Sequence, residues 1–219
     1  QSVQAADTLA HVVGDEVEAV LIANGGALPG DDSPLLHRLL RARKDASPGV
    51  AMISVADPSG RVLAFSHAHP AQGADGGPID VSKAAFFKAL RDDPVRSLSI
   101  GTPLRNHVDG GWRFHVARPL RGAGGQLAGV VFVGLDVDAF ARVYSGLAIS
   151  GKSFRVFHEA GAMMFRWPPA TDDQVGEDYS KSASLQVFRS GAPSAVFERG
   201  QRGRNDASAR ELRIVAPVA

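Results

Sequence analysis

Gly111-Trp112-Arg113-Phe114-His115-Val116-Ala117-Arg118-Pro119-Leu120, the run Arg121-Gly122-Ala123-Gly124-Gly125-Gln126, and Leu127-Ala128-Gly129-Val130-Val131-Phe132-Val133-Gly134-Leu135-Asp136 together decide the fold. Two stretches rich in aromatic and β-branched residues flank a glycine-rich joint, the pattern of a long β-hairpin. A turn centred on Ala123 and Gly124 pairs Arg118 with Gly129, His115 with Phe132, Trp112 with Leu135 and Gly111 with Asp136, and opposed residues share a face. One face then carries Trp112, Phe114, Val116 and Arg118 with Leu135, Val133, Val131 and Gly129. It is almost wholly apolar and is expected to pack against a helix. The other face carries Gly111, Arg113, His115 and Ala117 with Asp136, Gly134, Phe132 and Val130. A slip of one residue would set polar groups among the apolar set, so the sorting itself argues for the register.

Upstream, Val3, Ala6, Leu9, Ala10, Val13, Val17, Val20 and Leu21 recur at spacings of three and four, which predicts a long amphipathic N-terminal helix. Asn24-Gly25-Gly26 supplies a stop, and Ser33-Pro34 starts a second helix carrying Leu35, Leu36, Leu39 and Leu40. After Ser47-Pro48-Gly49 the texture becomes β-like. Residues 50–56 and 61–66 flank Asp57-Pro58-Ser59-Gly60, a turn sequence with a fixed-φ proline and a permissive glycine, and read as a hairpin. A Gly/Ala/Pro loop, a short helix around 82–90 and a strand near 98–101 complete this part. Downstream, a helix from Asp138 to about Leu147 leads to Gly151. There the order of strands and helix repeats on a smaller scale, with strands at 154–158, 162–166, 195–199 and 211–216 and a helix near 182–189. The expected fold class is α+β: a long N-terminal helix followed by two tandem lobes, each an antiparallel sheet with short helices.

The composition narrows the function. Lys and Arg total 24 against 23 Asp and Glu, with no basic excess to mark a nucleic-acid binder. The absence of cysteine removes disulfides, thiolate metal sites and thiol nucleophiles. No stretch approaches the roughly 18 to 20 consecutive apolar residues of a membrane span, and no signal peptide opens the chain. Gln1 is not an initiator, and Val215-Ala216-Pro217-Val218-Ala219 stops inside an apolar run, so a fragment of a longer polypeptide is expected.

The order and spacing of Gly111–Leu120, Gly124, Leu127-Ala128-Gly129-Val130-Val131 and Leu135-Asp136-Val137-Asp138-Ala139-Phe140 resemble double Cache (tandem PAS-like) sensor domains. The resemblance continues through Tyr144, Leu147, Gly151, Gly161, Arg166, Pro168, Gly176 and Ser180. It also reaches back to Asp57-Pro58-Ser59-Gly60, Phe86-Phe87 and Ile100-Gly101-Thr102-Pro103, so it spans about 48–215. It implies a periplasmic sensor between two transmembrane helices of an inner-membrane receptor, upstream of a diguanylate cyclase (GGDEF), EAL or histidine kinase output, working as a homodimer. The implied division is a helical stalk at 1–47 packing on both lobes, a membrane-distal lobe at 48–137, a linker helix at 138–150 and a membrane-proximal lobe at 151–219. One departure bears on the signal. Many such domains read Ser-Asp-Arg-x-Tyr-Phe where this chain has Ser82-Lys83-Ala84-Ala85-Phe86-Phe87, and Ala84 stands where amino-acid sensors grip a carboxylate with arginine. A standard amino-acid receptor is not expected.

For a ligand, the mixed face of the hairpin stands out. Gly134 and Ala117 leave room there, and Arg113, His115 and Asp136 supply directed polar groups suited to a small polar or zwitterionic molecule. The competing reading is an Arg113–Asp136 cross-strand ion pair on a solvated face. Phe87, with Phe86, is placed either over the cavity or in ordinary core. Trp112 is placed either as an aromatic lid or as core on the apolar face. Arg118 lies too far along the strand from Asp136 to share a small ligand and reads as structural. His67 and His69, with Asp75 and Asp80 following, make a weak metal pattern that would need a third ligand from a loop; the default is exposed histidines. No metal and no cofactor are expected.

Catalytic patterns do not appear: no G-x-S-x-G, no H-E-x-x-H and no P-loop lysine. The Arg121–Gly125 run joins antiparallel strands and opens no helix that would cradle a phosphate. Asp31-Asp32 and Asp92-Asp93 read as caps and loops. The chain is therefore expected to bind rather than catalyse, with a ligand-free dimerisation scaffold, or less so a free solute-binding protein, as the alternative.

Overall fold

The computed structural model describes residues 2–30, 33–67, 71–73, 75–106, 110–143, 154–168, 174–182, 185–186, 189–190, 195–199 and 211–215. Helix α1 (Ser2–Ala23) ends at Asn24-Gly25-Gly26, where the Gly26 N–H donates to the Leu21 carbonyl (2.8 Å) and the Gly25 N–H to that of Ile22 (3.2 Å), a Schellman closure. Helix α2 (Pro34–Asp45) starts as its sequence dictates, with Pro34 in the first turn and the Ser33 hydroxyl accepting from the Leu36 N–H.

Strands β1 (Val50–Ala56), β2 (Val62–Phe65), β3 (Ser99–Ile100), β4 (Leu104–Arg105), β5 (Trp112–Arg121) and β6 (Leu127–Asp136) form one antiparallel sheet in the order β2-β1-β6-β5-β3, with β4 also on β5. Its centre is the β5–β6 hairpin. The observed partners are Arg113 with Asp136, His115 with Gly134, Val116 with Val133 and Leu120 with Gly129. The expected register is therefore corrected by two residues. The connection is a wider loop, closed by the Gly122 N–H to the Gln126 carbonyl (3.0 Å), with a register shift between Leu120 and Arg121, rather than a tight turn on Ala123 and Gly124. A shift of two preserves which residues share a face, so the predicted sorting survives.

The apolar face packs against α1. Ala6, Ala10, Val13 and Val17 are buried with Phe114, Val116, Val131 and Val133 in a core that α2 extends through Leu36 and Leu40. Arg118, on that face, forms a two-pronged ion pair with Asp7 of α1 (Nε–Oδ1 2.7 Å, Nη2–Oδ2 3.0 Å), which is its structural role. Arg43 of α2 pairs with Glu16 of α1. The opposite face is covered by α3 (Ala85–Asp92), whose Phe86, Phe87 and Leu90 are buried with Ala117, Val130 and Phe132.

After β6, helix α4 (Val137–Val143) leads toward hairpin β7 (Phe154–Phe157) and β8 (Met163–Trp167); β9 (Ala195–Arg199) pairs with β10 (Glu211–Val215). The remainder of the predicted helix 138–147 and parts of the one near 182–189 lie outside the described residues.

The two halves repeat one local design. In the first, the Gly60 N–H donates to the Asp57 carbonyl (3.0 Å), the Val81 N–H to the Gly60 carbonyl (2.8 Å) and the Ala84 N–H to the Val81 carbonyl (2.9 Å). In the second, Gly161 donates to His158 (2.8 Å), Tyr179 to Gly161 (2.9 Å) and Ser182 to Tyr179 (2.8 Å). Asp80 accepts from the Ser82 N–H and Asp178 from the Ser180 N–H, both at 2.7 Å. These backbone bonds, then the serine side chains, hold both carboxyls below their ordinary range. Each glycine faces its serine so closely that an added Cβ would lie 2.6 Å from the serine Cα, with φ at +97° for Gly60 and +113° for Gly161. Only glycine fits.

One substitution within this repeat joins the halves. Where Asp57 accepts the Ser59 N–H through Oδ1 (2.8 Å), His158 accepts the Ala160 N–H through Nδ1 (3.0 Å). That bond leaves Nε2 as the protonated nitrogen, and it donates to the Ile100 carbonyl beside β5 (2.9 Å). Gly60→Ala and Gly161→Ala are each expected to cost about 1–3 kcal/mol in urea unfolding, through the strained φ and the blocked serine contact. His158→Asp keeps the turn acceptor and loses only the bond to Ile100, an expected loss of roughly 1 kcal/mol, whereas His158→Ala loses both and should be less stable still.

Candidate ligand-binding site

The polar residues of the sheet gather on the α3 side, toward the end that α4 follows. Strand alternation on β5 puts Arg113 and His115 on this face, and β6 adds Phe132, Gly134 and Asp136. Through the β1–β6 pairing, Met52 sits beside Gly134 and Ser54 beside Phe132. Three rings close the inner wall: His115 to Phe86 at 5.2 Å, His115 edge-on to Phe132 at 5.6 Å, and Phe86 to Phe132 at 5.1 Å. Gly134 is required by close approach, since an added Cβ would stand 2.4 Å from Met52 Cγ and 3.5 Å from His115 Cδ2. The Gly101 N–H fixes the outer edge by donating to the His115 carbonyl (2.7 Å).

His115 is half-buried as a residue, and its Nδ1 is shut off from solvent. Desolvation first, and the neighbouring Arg113 charge second, push its imidazole down to about 4, so it is neutral at physiological pH. Its Nδ1 and the Oγ of the fully buried Ser54 have no hydrogen-bond partner within the chain among the described residues. Two such atoms on one face of a close-packed sheet are costly unless something else satisfies them. Arg113 is only 8% exposed. A neutral imidazole, a hydroxyl and an arginine offer a small molecule both donors and acceptors, against a wall of phenyl rings and the Met52 thioether.

The structure brings Arg113 and His115 together and places Asp136 opposite Arg113. It argues against a solvated face, because α3 packs on it and Arg113 is only 8% exposed. Asp136 is half-buried and already committed in part: its Oδ1 accepts the Ala139 N–H (2.8 Å) and caps α4. Phe87 is entirely buried in the core around α3, one residue from the site wall, and it is Phe86 that lies on His115. Trp112 takes the core reading of the two offered for it, packed against the cluster on the apolar face. As the neighbour of Arg113 it projects to the opposite face, packs beside Gly176 of the second half and lies under the Arg105 guanidinium at 4.5 Å. Lid duty at the His115 site is excluded by strand alternation.

Ser54 and Met52 were not singled out from sequence. The available signal was a lone hydroxyl inside the apolar run Val50–Ala56, on the same parity as Met52. His67 stacks on Phe65 at 5.1 Å, and His69 lies outside the described residues. Two surface clefts, of about 290 Å³ beside Arg61 and Asp80 and about 270 Å³ between α1 and Arg118, lie away from His115.

The fold is shared with extracytoplasmic sensor domains of bacterial receptors. The extracellular domain of rpHK1S-Z16, assigned as a histidine kinase, superposes with a TM-score of 0.66 at 22% identity, over 90% of this chain and 83% of its own. The periplasmic sensory domain of the Campylobacter jejuni chemoreceptor Tlp1 gives 0.61 at 11% identity, over 90% and 78%. The ligand-binding domain of the Pseudomonas aeruginosa amino-acid chemoreceptor PctC, solved with GABA, gives 0.55 at 18%, over 82% and 73%. No protein-family model and no curated protein matches the sequence. These structural neighbours are sensory domains rather than catalytic ones. No helix of the described residues is long and apolar enough to cross a membrane.

His115 makes stability depend on pH in a defined window. Its folded value, about 4, lies below the ordinary 6.5, so between these limits the unfolded chain binds the extra proton. Stability is full above about 6.5, falls as the pH drops toward 4 and levels below that, a loss of up to roughly 3 kcal/mol from this group. Urea melts of the wild type and of His115→Gln across pH 4–7 should diverge in slope, the variant being flatter.

Proposed function

We propose that this chain is the periplasmic double Cache sensor of a membrane-bound signal-transduction receptor, with a histidine kinase or diguanylate cyclase as its output. In this reading residues 1–47 form the stalk, 48–137 the membrane-distal lobe, 138–150 the linker and 151–219 the proximal lobe. The receptor works as a homodimer held between flanking transmembrane helices. The observation that carries ligand binding is the pair of buried, unsatisfied polar atoms, His115 Nδ1 and Ser54 Oγ, beside the buried Arg113. The ligand is a small polar molecule that accepts from arginine and exchanges a hydrogen bond with a neutral imidazole. Ala84 supplies no cation at the head of α3, which turns the site away from a standard amino acid.

The signal is a population shift. A ligand between β5 and α3 moves Phe86, β3 and Gly101, and the Ile100 carbonyl passes that movement to His158 in the second lobe. A second reading, a ligand-free interaction scaffold, draws on the closeness of the Phe86, His115 and Phe132 rings, which already fill much of the face.

A thermal-shift screen of the 219-residue chain against small carboxylates, amines, amino acids and nucleobases separates the two. A hit is expected to raise the melting temperature by several degrees in the wild type, and by much less in Arg113→Gln and Ser54→Ala. Absence of any hit, together with a melting temperature that rises with protein concentration, would establish the scaffold instead.

A further inference from the structure

The second half carries an electrostatic feature that the distal site does not use. Across the β7–β8 hairpin, Arg155 stands directly opposite Arg166. Opposed residues on antiparallel strands share a face with Cβ atoms ~5 Å apart, and like charges so placed repel. Both residues are half-buried, which weakens the solvent screening that makes such a pair harmless on an open surface. Neither arginine has a carboxylate within ion-pair distance among the described residues. Arg166 donates through Nη1 to the Gln174 Oε1 (3.2 Å), while its Nε is buried without a hydrogen-bond partner.

Other side chains besides the two arginines bear on the hairpin face. Tyr179 lies within electrostatic reach of both arginines, meets the Phe157 ring at a 60° tilt (ring centroids 5.2 Å) and donates its hydroxyl to Glu177 Oε2 (2.7 Å). That bond, then burial and the Glu177 charge, raise the phenol above its ordinary range, while Arg155 and Arg166 pull the other way, which places both cations within electrostatic reach of one ring. Gln174 turns Arg166 so that its Nη1 is occupied. The remaining edge of the guanidinium, Nε with Nη2, is the edge that grips a carboxylate or phosphate with two parallel hydrogen bonds.

We propose that Arg155 and Arg166, opposed across the β7–β8 hairpin with Gln174 and Tyr179 beside them, form an anion-binding site in the second lobe for a small molecule bearing a carboxylate or phosphate. The anion sits between the two guanidinium groups, takes the Nε–H of Arg166 and cancels the repulsion across the hairpin. The site is separate from the Arg113–His115 face and holds or fails independently of it.

The proposal fixes the sign of two measurements on the 219-residue chain. In a chloride-only buffer of low ionic strength, Arg155→Gln raises the melting temperature, by about 1–2 °C, because it removes an uncompensated repulsion. An arginine already satisfied by the fold gives the opposite sign, so a lower melting temperature overturns the proposal. Inorganic phosphate and acetate, each titrated against chloride at matched ionic strength, stabilise the wild type. That stabilisation is lost in Arg155→Gln and in Arg166→Gln and is kept in His115→Gln. Equal stabilisation in all the variants, or none in the wild type, overturns it as well. Binding to phosphatidylglycerol vesicles without any response to phosphate would mark a lipid-facing surface and likewise overturn the site.

Discussion

Everything else in this chain depends on covering both faces of the β5–β6 hairpin. It is the centre of the sheet, and its two faces have different requirements. The first is closed by aliphatic and aromatic side chains and needs a helix that can come close. Ala6, Ala10 and Gly14 provide the close approach on α1, while Val13 and Val17 fill the space between. Burial at about 25 cal/mol per Å² makes this the dominant stabilising contact of the first half. The Arg118–Asp7 pair then fixes where along the hairpin the helix lies.

The second face cannot be closed in that way, because it carries Arg113, His115 and, across the sheet, Ser54. Helix α3 covers part of it with Phe86, Phe87 and Leu90. At the edge of this face, β3 and β4 pair with β5 and extend the sheet beyond Arg113 and His115. A candidate site is built there by alternation along strands whose neighbouring side chains are apolar. The burial that holds the sheet together also keeps His115 neutral and leaves its Nδ1 unsatisfied. Stability and binding capacity trade against each other at this one position.

The two halves are one local device used twice. Asp-x-Ser segments at 80–82 and 178–180 each receive a glycine turn. Where the first copy closes its turn with Asp57, the second uses His158, whose second nitrogen reaches the Ile100 carbonyl. Ile100 adjoins Gly101, and Gly101 holds the His115 carbonyl. The connection between halves is therefore short, one imidazole-to-carbonyl bond from His158 followed by the backbone bond of Gly101, and it begins at the candidate site. Core packing runs in parallel, since Met164, Phe165 and Val175 continue the cluster that α1 covers.

Much of this was legible in the sequence. Periodicity gave the long helix, Ser33-Pro34 the start of the second, and the alternation of Trp112–Asp136 the two faces of the central hairpin. Those faces survived a register error of two residues because side-chain direction along a strand has a period of two. The sequence alone therefore determined element type, element order and which hairpin residues point together. It did not determine what lies opposite each face. Trp112 could be placed on the apolar face, but not beside Gly176 of the second half, where it packs. Asp136 became a helix cap because α4 begins immediately after it. Ser54 joined His115 only because β1 pairs with β6, a contact between residues far apart in the chain that no local pattern encodes. Tertiary structure alone decided that the mixed face is largely buried at Arg113 and Ser54, since α3 arrives from elsewhere to pack on it.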